Sequence, residues 1–400
     1  MKHSIKTYLI HLLLFILTLI TTTLAGAENV TGKIWFAWGF KIAPEHLLTW
    51  KDFAEGFAYS LSFLLFLTVH EFGHYFTSVY YRIKTSLPYY IPIFIPIPGM
   101  FNIGSFGALI RLREIPDSTK KFFDVGIAGP LAGFVVSVGL IVYGLISLPE
   151  PNAYIMPIHP EYHRIDVFEG KVPSEAVQEA YIVEQNMLHP KQEQSYLKVG
   201  NNLLLSILRK IVPHNEAYYP SHFELLHYPY LFVGFLTLFF TALNLLPMGQ
   251  LDGGHVMYGL FGIERAGRIA RITVVLLLLV GGTGFVDLTH FKETYLQLGF
   301  YMMFLVFVLN ITLKFPPAYK VFVIALTLVA VQGIIFYQYP TIQPNFIWLL
   351  YAFMGVRFIG LDHPPALFEH KLDIKRKVLG WLAIAIFILT FTPSPLILVH

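Results

Sequence analysis

The stretch LTVHEFGHY, Leu67 to Tyr75, sets two histidines and a glutamate inside a run that otherwise reads as membrane-spanning. On a helix, residues four apart lie on one face, so His70 and His74 can present imidazole nitrogens to one metal ion. Glu71 sits one residue on from the first histidine, within reach of a metal-bound water without being a ligand itself. Zinc lowers the pKa of a bound water to about 7, and a neighbouring carboxylate can then take its proton. Ionisable residues at membrane depth are costly and mark function. The plainer alternative is a pair of interfacial histidines bonded to backbone carbonyls.

Composition supplies the setting. Of 400 residues, 55% are hydrophobic and only 13% charged, and the mean hydropathy is +0.60, too apolar for an ordinary water-soluble chain. The net charge of +3 is small and its Lys and Arg residues fall in short loops, which points to membrane topology and away from nucleic acid as a partner. Cysteine is absent, so disulfides and thiolate metal sites are excluded.

Spanning the hydrocarbon takes about 20 mostly apolar residues as a helix. The first such stretch, YLIHLLLFILTLITTTLAGA, follows Lys2 and Lys6 and is read as a retained first helix, with a cleaved signal peptide ending near Ala25 and Ala27 as the alternative. Further apolar stretches run over 56–80, 122–148, 228–246, 269–285, 296–313, 321–337, 346–359 and 378–399. The expected architecture is an all-α polytopic membrane protein of about eight or nine transmembrane helices. With the N-terminus cytoplasmic and one crossing per stretch, the basic residues from Arg82 to Lys121, from Arg265 to Arg271 and from Lys371 to Lys377 fall on one side, as the positive-inside rule requires. Residues 1–55 are then an N-terminal helix and linker, 56–262 a catalytic core carrying a polar non-cytoplasmic insert at 150–227, and 263–400 C-terminal transmembrane helices. The insert reads as loop with an amphipathic piece near Asn201 to Val212, and its histidines, His159, His163, His189, His214, His222 and His227, receive no role.

A catalytic zinc takes three protein ligands and keeps one position open, so a third donor is required. In ALNLLPMGQLDGGHVMYG, Asp252 is a lone carboxylate at the end of an apolar segment; Pro247 and Gly249 break the helix, and Gly253 and Gly254 allow close backbone approach. Broken helix at membrane depth is tolerated where it lines a cavity or is buried in protein. Asp252 is the favoured ligand, and His255 a rival better suited to supporting a ligand. LDGG alone also reads as a plain turn.

HEFGH on one apolar segment and Asn244, Pro247, Leu251, Asp252 and Gly253 in N-x-x-P-x-x-x-L-D-G on a later one resemble the site-2 protease family of intramembrane zinc metalloproteases, in particular its branch from bacteria and plastids without a PDZ domain. The resemblance covers roughly Ser60 to Gly259, including GSFGALIRLRE and GIAGPLAGF. It implies one zinc ion on His70, His74 and Asp252, Glu71 as catalytic acid/base, Asn244 orienting or stabilising the substrate carbonyl, a transmembrane protein as substrate, and a bacterial inner membrane with the site toward the cytoplasm. The competing class is a metal-binding transporter or channel, for which repeated halves are expected; the sequence has no internal repeat.

Between the two motifs, YYIPIFIPIPGMFNIGSFGALIRLR carries Pro92, Pro96 and Pro98 and is no regular helix. It reads as a small membrane-associated β-hairpin whose edge can accept a substrate strand. Gly129 and Gly133 form a G-x-x-x-G pair read as helix packing. The Asp362, His363, Pro364, Pro365 cluster reads as a loop with a solvated histidine, with a second metal site as the alternative.

Overall fold

The computed structural model describes residues 5–36, 43–97, 100–160, 162, 171–188, 196–285 and 291–399. His163 and His189 lie outside them, as do Pro98 and Gly99 of the hairpin connection. The chain divides into two compact units, one of residues 1–115, 128–242 and 388–400, the other of 116–127 and 243–387.

In the first unit, α1 (Ile5–Thr31) is followed by α2 (Trp50–Glu55) and α3 (Phe57–Tyr80), which carries HEFGH. Thr49 caps α2 with a reciprocal box, its hydroxyl accepting from the Asp52 N–H and Asp52 accepting from the Thr49 N–H. α1 and α3 pack through small residues: a methyl group at Gly56 would fall 2.1 Å from the Thr23 carbonyl, and one at Gly26 2.7 Å from the Gly56 carbonyl. Without a hydrophobic drive between helices in lipid, such close backbone contact supplies the packing energy. The Thr22 and Ser60 hydroxyls, 2.6 Å apart, add a buried hydrogen bond across the pair.

The expected hairpin is present. β1 (Tyr89–Pro92) pairs antiparallel with β2 (Ser105–Leu109), Tyr89 opposite Leu109, with an irregularity between Tyr90 and Pro92 where proline cannot donate to the ladder. α4 (Thr119–Ile146) follows, and the division between units falls within it.

The polar insert holds more regular structure than its composition suggested. It contains α5 (Pro151–Tyr154), α6 (Glu175–Leu188), β3 (Tyr196–Val199) and α7 (Leu203–Ile211). α7 is the anticipated amphipathic piece: Asn202 caps it by accepting the Leu205 N–H at 2.9 Å, Leu204, Leu205 and Leu208 are buried, and Arg209 and Lys210 lie in its last turn. Those leucines join a core formed by Tyr59, Phe63 and Phe66 of α3, Ile141 and Leu145 of α4, and Leu231 to Leu238 of α8 (Pro229–Asn244).

The second unit contains α9 (Asp252–Phe261), α10 (Ile263–Gly282), α11 (Phe291–Thr312), α12 (Ala318–Gln338), α13 (Phe346–Met354) and most of α14 (Ile374–Thr390). Gln332, 4% exposed, donates to the Leu278 carbonyl and to the Tyr301 hydroxyl, both at 2.9 Å. Polar side chains of this kind tie apolar helices together at about 1 kcal/mol each. Gln332→Leu is expected to cost about that much, read as an earlier unfolding midpoint in mixed detergent micelles.

Among the described residues, five helices are long and apolar enough to cross a membrane: α1, α2 with α3, α4, α11 and α12. This is a multi-pass membrane protein, mostly helical, with two small sheets among the described residues. The larger count of eight or nine also takes in α8, α10, α13 and α14. α8 and the α13 segment are shorter, and α10 opens with Glu264, Arg265, Arg268 and Arg271. The last apolar stretch, read over 378–399, is not one helix. α14 stops at Thr390, Pro393 and Pro395 prevent its continuation, and 396–399 form β4 (Leu396–Val399), antiparallel to β3.

Candidate metal centre

His70 and His74 are buried on one face of α3 with their Nε2 atoms 3.1 Å apart and their rings edge to face at 74°. Two donors each about 2.1 Å from a tetrahedral zinc stand about 3.4 Å apart. Glu71, also buried, turns toward the hairpin, where its Oε2 accepts the backbone N–H of Ile110 at 2.9 Å. That N–H follows immediately after β2, so one hydrogen bond fixes the carboxylate relative to the strand. Thr68, two residues before His70, meets the Tyr90 hydroxyl of β1 at 2.8 Å. The hairpin is held to the motif helix from both strands.

The part of α4 in the first unit lies directly against the imidazoles. A methyl group at Gly129 would fall 2.1 Å from His74 Nε2, and one at Gly133 would fall 2.8 Å from the Phe66 ring and 3.2 Å from His70 Nδ1. From the other side, Gly73 admits the Ala128 carbonyl, which would stand 2.7 Å from an added methyl. The G-x-x-x-G pair thus packs helices, as expected, and the space it leaves is the space the two imidazoles and an ion need. Two neutral-nitrogen donors, a carboxylate on the same turn and a cradle closed by any side chain at position 129 fit zinc.

In the second unit, α8 ends at Asn244 and α9 begins at Asp252, with an irregular turn between, as Pro247 and Gly249 predict. Gly249 has φ +47°, and a methyl there would strike the Gly360 carbonyl at 1.9 Å. Methyl groups at Gly253 and Gly254 would meet carbonyls of the same turn at 2.1 and 2.2 Å. The glycines therefore let the turn fold onto the first residues of α9 and present Asp252, half-buried, as the first helical residue. Asn244 is likewise half-buried, at the last position of α8.

His363 corrects an expectation. Read as solvated, it is 4% exposed, stacked on the Tyr258 ring at 4.3 Å, with its Nε2 2.6 Å from His255 Nδ1. Its Nδ1 lies 2.6 Å from the Pro364 carbonyl, which can only accept, so Nδ1 carries the proton and Nε2 accepts from His255. That fixes the His255 tautomer, with the proton on Nδ1 and the lone pair on Nε2. The Phe122 and Tyr258 rings pack against the imidazole, at 4.7 and 4.3 Å between centroids, and take it out of solvent. Asp362 pairs with Arg271 at 2.7 Å and Lys314 at 3.2 Å.

Burial pushes the His363 imidazole down to about 4 from its ordinary 6.5. The folded state therefore binds fewer protons than the unfolded chain between those values, and stability is lost as pH falls from about 6.5 toward about 4. His363→Asn is expected to flatten that slope, measured as unfolding midpoint against pH.

Two features of the site escaped the sequence reading. The Ile110 N–H is a backbone group that any residue type supplies, so it leaves no sequence signal. Gly129 was visible as part of a packing motif, and only its position opposite His74 gives it a second role.

The model of peptidase family M50 matches residues 58–282, more than half of the chain. The protein called probable zinc metalloprotease EGY1, chloroplastic, of Arabidopsis thaliana is 29% identical over 281 residues, covering 68% of this chain and 43% of that protein. The EGY1 protein of Oryza sativa subsp. japonica is 27% identical over 64% of this chain and 38% of its own length, and EGY2 of Arabidopsis thaliana 27% identical over 56% and 32%. The chain thus spans less than half the length of these relatives. No solved structure matches it. The matched segment contains HEFGH, the hairpin, Gly129 and Gly133 of α4 and the Asn244 to Gly253 turn, and on that match the chain belongs to peptidase family M50, the site-2 protease family.

Proposed function

We propose that this chain is an intramembrane zinc metalloprotease that hydrolyses a peptide bond within or near the transmembrane segment of a membrane protein. The observation that carries the reading is the buried pair of imidazoles on α3, Nε2 atoms 3.1 Å apart, with Glu71 on the same turn of an apolar span. His70, His74 and Asp252 would hold one zinc ion, His₂Asp leaving the fourth position open. When bound, zinc supplies Lewis acidity to the scissile carbonyl and lowers the pKa of an attacking water.

The protein's own groups supply the rest. Glu71 takes the proton from the attacking water and returns it to the departing amine, with the Ile110 N–H holding the carboxylate in place. Asn244 donates to the scissile carbonyl as negative charge develops there. A substrate helix must first unwind, because its carbonyls are already hydrogen-bonded. Pairing of the extended segment against the hairpin, whose β2 ends at the Glu71 hydrogen bond, replaces the lost bonds. We place the site toward the cytoplasm on the distribution of basic residues, and a bacterial inner membrane is the setting that the motif resemblance implies; the relatives are named chloroplastic. The transporter alternative is not favoured, given the family to which the chain belongs.

The test is cleavage of single-pass test substrates by detergent-purified protein, before and after zinc is stripped by a chelator and restored. Cleavage lost on stripping and regained with zinc is the expected result. Absence of cleavage across a broad panel by zinc-loaded protein, with divalent ions crossing liposomes that contain it, would overturn the reading.

A further inference from the structure

Three residues of the polar insert, far apart in sequence, converge on one point. His159 follows α5, and Glu224 and His227 lie in the turn that leads into α8. His159 Nε2 stands 3.1 Å from His227 Nε2 and 3.4 Å from Glu224 Oε2, and His227 Nε2 stands 3.8 Å from the same oxygen. These separations bracket the roughly 3.4 Å expected between two donors on a tetrahedral zinc.

The surroundings point two of the three donors inward. His227 Nδ1 lies 3.0 Å from the Val30 carbonyl, which can only accept, so Nδ1 carries the proton and Nε2 offers its lone pair. Glu224, 2% exposed, has Oε1 occupied by the Tyr162 hydroxyl and by the Gln178 amide at 2.7 Å, and Gln178 is in turn engaged by Ser221. Oε2 has no hydrogen-bond partner although it is buried, and it faces both histidines. Leaving a buried carboxylate oxygen in that state is costly unless a cation completes it. One wall of a cavity of about 410 Å³ is formed by the three side chains, so a fourth coordination position opens onto space that water or an exogenous ligand can occupy.

We propose that His159, Glu224 and His227 form a second metal site, taking a divalent transition ion of the zinc type with three protein ligands and one exchangeable position. It is separate from the pair on α3 and does not depend on the catalytic reading. Bound there, the ion links the segment after α5, the turn before α8 and, through His227, the end of α1. Tyr162 and Gln178 orient the carboxylate, as the outer partners of metal ligands commonly do.

The experiment counts zinc by mass spectrometry in full-length, detergent-purified protein equilibrated with buffered zinc, and repeats the count with cobalt, whose visible spectrum reports its donors. The unmodified chain is expected to hold two ions and His70→Ala/His74→Ala one. Adding Glu224→Gln, nearly isosteric and so retaining the fold, is expected to weaken the remaining ion at least 100-fold. Tyr162→Phe, which leaves all three ligands, should weaken it by about 10–100-fold. If His70→Ala/His74→Ala binds no zinc and no cobalt while eluting as the unmodified chain does, the second site does not exist. If it binds one ion that Glu224→Gln, His159→Ala and His227→Ala all leave in place, these residues are not the ligands and the assignment fails.

Discussion

Glu71→Gln is expected to remove proteolytic activity by about 10³-fold or more while leaving zinc on His70 and His74, because the substitution keeps size and hydrogen-bonding shape but loses the proton acceptor. A positioned acid/base contributes about 10²–10⁴-fold, and in the proposed mechanism Glu71 serves both the attacking water and the leaving amine. The amide oxygen introduced by the substitution can still accept the Ile110 N–H that Glu71 Oε2 now accepts at 2.9 Å, so the hairpin keeps its tether to α3. The measurement pairs cleavage of a single-pass substrate with zinc content in the same preparation. Retained zinc with full activity would remove Glu71 from the chemistry, and zinc loss together with activity would make its role structural.

Gly129→Ala is the second large effect. The added methyl would stand 2.1 Å from His74 Nε2, well inside any tolerated contact. The ring must swing away, and a displaced ligand is expected to lower zinc affinity at least 100-fold, with cleavage falling in step at limiting zinc. In a helix interior alanine is favoured over glycine by about 1 kcal/mol, so intrinsic propensity in α4 opposes a loss by unfolding. Gly139→Ala, in the same helix with nothing within 4 Å of the added methyl, is the matched control and should retain both zinc and activity. Equal loss in both variants would assign the effect to α4 as a whole.

Much of this architecture is legible from local pattern. His70, Glu71 and His74 stand at a spacing that only a helix brings to one face, and the apolar residues around them make that helix a membrane span. Proline and glycine announce the hairpin and the turn before Asp252, because each removes conformations or donors that a regular helix needs. α10 and α14 were harder: their composition is apolar enough to suggest a crossing, while charge at one end and proline beyond the other limit the apolar length.

The sequence by itself determined the membrane setting, the motif helix, the broken helix ahead of Asp252 and the hairpin between them, since each rests on interactions within a few residues. Tertiary structure alone decided that Gly129 lies against His74, that the Ile110 N–H holds Glu71, that His363 is buried on Tyr258 against His255, and that His159 meets Glu224 and His227 across 65 and 68 positions of chain. The physical reason is common to all four. A glycine's missing side chain, a backbone N–H and a lone imidazole carry no periodic signal, and their meaning comes from the atoms that folding sets beside them.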